Sequence, residues 1–305
     1  MAFYAGSIAK RTAPFHRMRR GKIGVPRKRW NSGGTPPSSN EPASDKTMAT
    51  VTTWAKSFAI GATAGTCGSL AGMGGGFLMI PMMTSKGLMG LTQHQAHATS
   101  LFAVATTGMA GALSYSGQVD YEVAAAIAAC GMATAGMGAH ASARMSQVSL
   151  KKALGVFMLL VAPTIPAKEY LISTKEEPQK AVETSFVRRY IVPAGIGCCS
   201  GFLAGVFGVG GGAIVVPALS LFTDMNHYQA LGTSLCAMVP TAVVGTATHM
   251  SKGTVAMRVA PALAVGAFAG AYYGGKLGLT IPEQQLKYGF SGTMVVLGLR
   301  TLLKA

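Results

Sequence analysis

Acidic residues are scarce in this 305-residue chain, which has 10 Asp and Glu against 26 Lys and Arg. Charged residues make up 12% of the sequence, against about 25% in typical soluble domains. Half of the residues are apolar and 40 are glycine, and small residues let transmembrane helices approach each other closely. The composition excludes an ordinary soluble domain and predicts an all-α, polytopic membrane protein.

Chemistry-bearing clusters are also missing. The five cysteines all lie in apolar stretches and none forms a Cys-x-x-Cys pair, which leaves no support for a disulfide framework or a zinc site. We find no carboxylate pair, no cluster of metal ligands and no nucleophile–base spacing of the kind enzymes use. The sequence therefore predicts no catalytic residue, no metal and no cofactor.

Eight hydrophobic segments are present, each near the roughly 20 residues that cross a bilayer. They lie at 56–82, 93–115, 122–143, 150–167, 190–222, 228–250, 257–277 and 286–303. A polar linker at 171–189 divides them into two sets of four. We predict about eight transmembrane helices in two homologous four-helix repeats, at 51–170 and 190–305, each with a Gly-broken first helix.

Three successive glycines followed by a proline interrupt the first segment of each repeat. The glycines are Gly74, Gly75 and Gly76 in the first repeat and Gly210, Gly211 and Gly212 in the second. With Pro81 and Pro217 they make a regular helix unfavourable, since Gly costs about 1 and Pro about 3 kcal/mol in a helix interior. Matching interruptions in two halves indicate a transporter's binding site; close helix packing is the alternative.

A second repeated block supplies polar side chains. Residues 95–103 match residues 229–237 at six of nine positions. The shared polar residues are Gln95, Thr99 and Ser100 in the first repeat and Gln229, Thr233 and Ser234 in the second. Their amide and hydroxyl groups suit an oxyanion without a buried charge, although hydrogen bonds between helices or back to the helix backbone are equally compatible. The exact recurrence favours a cavity that binds a small anionic solute.

None of the predicted spans carries a carboxylate near its centre, because every acid lies at a segment end, in the linker or in the leader. Proton-coupled carriers commonly place an acid there. A proton step would therefore use histidine, whose pKa lies in the physiological range. His97, inside the first polar block, is the candidate proton site, although Leu231 stands at the matching position of the second repeat.

The orientation of the repeats stays open. Four spans in each half would make the repeats parallel, whereas an odd number would invert them. The doubt rests on residues 56–90, which can form one broken span or a re-entrant pair, and Lys and Arg flank both sides of the predicted spans. The lipid bilayer is an expected partner, and a homo-oligomer is left open.

The leader at 1–50 is strongly basic. Residues 1–47 hold ten of the Lys and Arg residues and two acids, and so carry half of the net charge of +16. A basic run can bind nucleic acid, but this one is rich in Arg and Ser, has no acid before Glu41 and precedes the first hydrophobic segment, as in a transit peptide. We predict an organellar inner membrane, mitochondrial ahead of plastid, and no nucleic-acid partner; a disordered cytosolic tail is the alternative.

The duplicated Gly-Gly-Gly-x-x-x-x-Pro stretch, followed by a Gly/Ala-Thr-Ser block, closely resembles the sulfite exporter TauE/SafE family of membrane permeases. The resemblance covers about residues 57–303, with one modest departure, Ala98 where the second repeat has Gly232. It implies an integral membrane transporter for a small anion, such as sulfite, an organosulfonate or a related organic acid. A non-transporting membrane scaffold or assembly factor with the same fold is the competing hypothesis.

Overall fold

The computed structural model describes residues 43–163, 187–223 and 225–303. These residues contain ten α-helices and no strand, which confirms the all-α prediction. The helices are α1 (Ala43–Leu70), α2 (Gly76–Thr84), α3 (Gln93–Ser114), α4 (Tyr121–Arg144), α5 (Gln147–Val161), α6 (Val192–Phe207), α7 (Gly212–Phe222), α8 (His227–Ser251), α9 (Ala260–Gly278) and α10 (Glu283–Leu303). Most of the predicted leader at 1–50 and of the linker at 171–189 lies outside the described residues.

Within the described part of the chain, three helical stretches are long and apolar enough to cross a membrane. They are Tyr121–Arg144, Arg189–Phe207 and His227–Ser251. The other described helices do not combine that length with that hydropathy, and α7, with 11 residues, is too short. The structure therefore agrees with a membrane protein.

The first predicted segment of each half is broken into two helices at its glycines. Gly72, Gly74 and Gly75 have φ of 68°, 74° and 73° between α1 and α2. Between α6 and α7, Gly210 and Gly211 have φ of 92° and 73°. Side chains other than hydrogen rarely tolerate this left-handed region, so the glycines are what allows the chain to turn there.

The chain doubles back at each break. A Cβ atom at Gly75 would overlap the carbonyl of Ala64, and one at Gly211 would lie 2.7 Å from the Ser200 carbonyl oxygen. Because each glycine lies beside a residue 11 positions earlier, α2 returns along α1 and α7 returns along α6. The short helix α2 is also deeply buried, with Phe77 and Met79 fully enclosed.

Helix directions follow from the residue pairs that meet. Helices α1, α3 and α9 run in one direction, as these contacts show: Thr66 with Gly274, Leu70 with Gly278, Thr106 with Ala264 and Ser114 with Tyr272. Helices α4, α6 and α8 are mutually parallel through another set: Ile127 with Gly197, Ala139 with Gly205, Gly131 with Thr241 and Ala139 with Lys252. The two groups are antiparallel, because α3 crosses α8 with Leu101 against Gly245 and Gly111 against Leu235.

Corresponding helices of the two halves therefore run in opposite directions, namely α1 and α6, α3 and α8, and α4 and α9. The last helices follow the same rule, because α5 and α10 pack antiparallel, with Gly155 against Leu302 and Ala162 hydrogen bonded to Ser291. The most extensive helix contacts, α1 with α9 and α4 with α6, each join one helix from each half.

Small residues hold these two helix pairs at backbone contact. A Cβ atom at Gly201 of α6 would overlap the backbone of Gly131 in α4, and one at Gly270 of α9 would overlap the Ala62 carbonyl in α1. Hydroxyl groups reinforce the pairs, since Thr66 Oγ1 donates to the Gly270 carbonyl at 3.1 Å. Many of the 40 glycines thus serve close packing, the alternative function that the sequence allowed.

Candidate functional site

The two glycine turns lie against each other at the centre of the bundle. A Cβ atom at Gly76 would lie 2.6 Å from the Gly208 carbonyl oxygen and 2.8 Å from Val209 Cα. In the reciprocal contact, a Cβ atom at Gly212 would overlap the Gly72 carbonyl. Helices α2 and α7 therefore begin at one place, with backbone touching backbone, although the turns are about 136 residues apart in sequence.

Two large side chains close this centre. A Cβ atom at Gly74 would lie 2.9 Å from Val104 Cγ1 and 3.1 Å from Met238 Sδ. At Gly210 the same two atoms would lie at 2.5 Å and 2.6 Å. Val104 and Met238 are themselves buried, so both side chains pack directly against the turns.

A serine hydroxyl hydrogen bonds each turn to a long helix of the opposite half. Ser100 Oγ of α3 donates to the Gly208 carbonyl at 2.9 Å, and Ser234 Oγ of α8 donates to the Gly72 carbonyl at 2.9 Å. Both serines are fully buried. The predicted serines and glycine turns are therefore brought together, and in this conformation the hydroxyls satisfy turn carbonyls that would otherwise lack a donor.

The predicted threonines accept hydrogen bonds from backbone groups in two loops. Thr99 Oγ1 accepts a hydrogen bond from the Ala256 N–H at 3.0 Å, and Thr233 Oγ1 accepts from the Asp120 N–H at 3.0 Å. Each side chain is fully buried. Each threonine thus fixes a loop that leads into a helix of the other half, α9 for Thr99 and α4 for Thr233, and each hydroxyl keeps its proton for a further acceptor.

The predicted glutamines lie at helix starts, away from the glycine turns. Gln95 Oε1 accepts from the Thr92 N–H at 3.3 Å and Gln229 Oε1 from the Asn226 N–H at 3.1 Å. Each is the reciprocal half of a capping box. Because α3 and α8 are antiparallel, these starts lie at opposite ends of the bundle, and the two amides do not meet.

His97 is fully buried in α3 and makes two hydrogen bonds. Its Nδ1 lies 3.2 Å from the Val206 carbonyl and its Nε2 lies 2.8 Å from Nε2 of Gln93. A carbonyl can only accept, so the ring carries its proton on Nδ1 and accepts at Nε2 from the Gln93 amide. Sequence reasoning missed Gln93, although its spacing of four residues from His97 places both on one helix face.

The helix starts at the two turns have no side-chain cap. Gly75 and Gly211 are the N-cap residues of α2 and α7, and neither helix has an acidic residue in its first turn. By contrast, α3, α4, α5 and α8 begin with side-chain caps from Thr92, Asp120, Ser146 and Asn226. Uncapped first-turn N–H groups and the helix dipole favour an anion, and here two such starts converge.

Metal binding finds no support in the part of the chain that the structure describes, where no group of three or more His, Cys, Asp or Glu residues is placed to hold an ion. The cysteines in these residues are all free. The chemistry offered by the centre is therefore that of backbone N–H groups, hydroxyls and one neutral imidazole.

The chain is similar to a known protein family and to several curated proteins. Residues 57–301 match the protein family described as Sulfite exporter TauE/SafE. The probable membrane transporter protein YunE of Bacillus subtilis is 30% identical over 244 residues, covering 73% of this chain and 86% of that protein. YdhB of the same bacterium, also a probable membrane transporter protein, is 25% identical over 76% of this chain and 93% of its own length.

A more distant relative comes from an archaeon. The probable membrane transporter protein MJ0441 of Methanocaldococcus jannaschii is 24% identical over 259 residues, which cover 80% of this chain and 93% of that protein. No solved structure matches the chain.

The contact between the turns predicts a stability difference between two glycine substitutions. Gly76→Ala forces the turns apart and should lower the free energy of unfolding by about 1–3 kcal/mol, as overpacking does. Gly195→Ala, in the first turn of α6 with open space beside it, should be neutral or stabilise by up to about 1 kcal/mol. Thermal unfolding of the purified variants in detergent measures both; equal unfolding temperatures would contradict the contact.

Proposed function

The chain belongs to the sulfite exporter TauE/SafE family of membrane transporters, and we propose that it carries a small anion through a site between its two halves. Sulfite, organosulfonates and related small organic acids form the proposed substrate class. The observation that carries the proposal is the convergence of two uncapped helix starts, Gly75–Gly76 and Gly211–Gly212, on one buried point.

The chemistry of that point favours an anion. First-turn N–H groups from two helices would face the solute, and each helix dipole adds partial positive charge. The hydroxyl protons of Thr99 and Thr233 supply further donors nearby. Broken helices whose half-helix starts meet an anionic group near the middle of the membrane are a recurrent design in secondary transporters.

The transport architecture we propose is an inverted repeat. Within the described residues each half contributes five helices, and corresponding helices run in opposite directions, which supports inversion over the parallel arrangement. In this interpretation the pair α1 and α2 enters and leaves the membrane on one side, and the pair α6 and α7 enters and leaves on the other. The three helices that follow each pair cross the membrane. Inversion gives the two sides equivalent access to one site, as alternating access requires.

Uptake of labelled sulfite into proteoliposomes tests the function. The wild-type chain should give flux above empty vesicles, and Gly76→Ala should reduce flux per folded molecule because it separates the two helix starts. The matched control Gly195→Ala should transport as the wild type does. Thr233→Val, which removes the hydroxyl that we assign to the site, should also reduce flux.

Two outcomes of that assay count against the proposal. Absence of flux for sulfite and for every small sulfonate and carboxylate, from protein that is folded and inserted, would favour the scaffold or assembly-factor hypothesis. Undiminished flux in Thr233→Val would remove that residue from the site while leaving the transport function in place.

A proton step at His97 is a separate part of the proposal. Rotation of the Gln93 amide would present its oxygen to Nε2, so the same pair of residues can hold a protonated ring. Wild-type flux should therefore depend on pH, and His97→Leu should flatten this dependence. His140→Leu is the control, since His140 is exposed and its ring bonds the Gly136 carbonyl of its own helix. Retained pH dependence in His97→Leu would contradict a proton step at His97.

We also propose that residues 1–50 direct the chain to an organellar inner membrane, on the strength of their Arg-rich, nearly acid-free composition. The relatives compared above are bacterial and archaeal, so the proposal rests on this leader alone. A fluorescent reporter fused behind residues 1–50 should accumulate in mitochondria, or failing that in plastids. Diffuse cytosolic fluorescence would contradict the targeting function.

A further inference from the structure

Two cysteines from different halves of the chain lie side by side on the bundle. Cys130 belongs to α4 in the first half and Cys198 to α6 in the second. Both are free thiols, and their side chains lie close enough to interact with each other. They are far apart in sequence, so the short spacings that identify cysteine pairs in a sequence do not apply to them.

The contact between α4 and α6 brings the backbones of the two cysteines together. A Cβ atom at Gly201 would lie 2.5 Å from Gly131 Cα, so the helices touch at the residue that follows Cys130. A single hydroxyl oxygen, Thr134 Oγ1, lies 3.3 Å from the Cys130 carbonyl oxygen and 2.8 Å from that of Cys198. Disulfides join residues whose Cα atoms are within about 7 Å, a separation that helices in backbone contact allow.

The other closely packed helix pair shows that these two positions face each other. Ala62 of α1 and Gly266 of α9 correspond to Cys198 and Cys130 in the internal repeat. A Cβ atom at Gly266 would lie 3.0 Å from the Ala62 backbone nitrogen. The corresponding positions are thus in direct contact between α1 and α9, and the pair α4 and α6 has a thiol at each of them.

The two thiols differ in exposure. Cys198 is exposed and Cys130 is half-buried. A reagent that arrives at the outer surface of the bundle therefore meets Cys198 first, with Cys130 behind it. An accessible thiol with a second thiol beside it is the arrangement in which oxidation ends in a disulfide.

We propose that Cys130 and Cys198 form a modification site, at which a hydroperoxide converts the two thiols into a disulfide between the two halves. The Cys198 sulfur attacks the hydroperoxide, the O–O bond breaks, and a sulfenic acid and an alcohol form. The Cys130 sulfur then attacks the sulfenic sulfur, so that the S–S bond forms and water leaves. The two thiols together lose two electrons, which the hydroperoxide gains, and a dithiol reductant reverses the change by thiol–disulfide exchange.

The disulfide would add a covalent link to a helix pair that is held by small residues and hydroxyl groups. A link between residues distant in sequence restricts the unfolded chain more than the folded one, which stabilises the fold. The reaction is independent of the solute that the protein carries, so its test does not rest on the proposed function.

Thiol counting in the purified full chain tests the site. Wild-type protein in nanodiscs is treated with cumene hydroperoxide, denatured and labelled with a maleimide. Of its five cysteines, two should escape labelling, and dithiothreitol should restore both. Cys130→Ser and Cys198→Ser should each abolish this paired loss. Cys199→Ser is the matched control, because Cys199 is the exposed neighbour of Cys198 on α6, and it should lose two thiols as the wild type does.

Thermal unfolding of the same samples measures the effect of the link. Oxidised wild-type protein should unfold at least about 3 °C above the reduced protein. Cys199→Ser should show the same shift on oxidation, whereas Cys130→Ser should show none. A disulfide that forms without this shift overturns the stabilising effect.

Three results overturn the disulfide itself. The first is full labelling of oxidised wild-type protein. The second is a paired loss that Cys198→Ser retains and Cys199→Ser abolishes, which assigns the bond to Cys199. The third is a dimer on a non-reducing gel, which places the bond between two chains. A paired loss in wild type and Cys199→Ser, from protein that migrates as a monomer, supports the proposal.

Discussion

The structure depends on the backbone contact between two glycine turns. Gly76 touches Gly208 and Val209, and Gly212 touches Gly72 in return, at distances that no side chain permits. Because the contact is reciprocal, displacement of one turn must displace the other. The position of both short helices is therefore set by the absence of side-chain atoms at a few positions.

The packing of the long helices around the turns also depends on small residues and hydroxyl groups. The closely packed pairs, α1 with α9 and α4 with α6, each take one helix from each half, with hydroxyl bonds such as Thr134 Oγ1 to the Cys198 carbonyl at 2.8 Å. The halves are therefore interlocked and cannot move apart as independent bodies. Any opening of the centre has to come from shifts between these pairs, where α3 crosses α8 beside Val104 and Met238.

Part of this structure was predictable from sequence because it is encoded locally. Successive glycines are unfavourable in a helix interior, so the two breaks could be located, whereas Pro81 and Pro217 lie inside α2 and α7. Helix direction could not be predicted, since it depends on distant contacts such as Thr66 with Gly274. The function of Gln95 and Gln229 was harder to predict. The repeated block favoured a binding function, but the structure places both residues at helix starts. The sequences Thr92-x-x-Gln95 and Asn226-x-x-Gln229 already contain the capping box that explains this position.

Some residues of the first half have no counterpart of the same chemistry in the second half. Groups that both halves need for the turns recur as pairs, as Ser100 and Ser234 do. His97 has no counterpart of the same chemistry, because Leu231 stands at the matching position of the second repeat. Because His97 bonds the Val206 carbonyl of the other half, the two halves are joined here by a hydrogen bond that a leucine side chain cannot make.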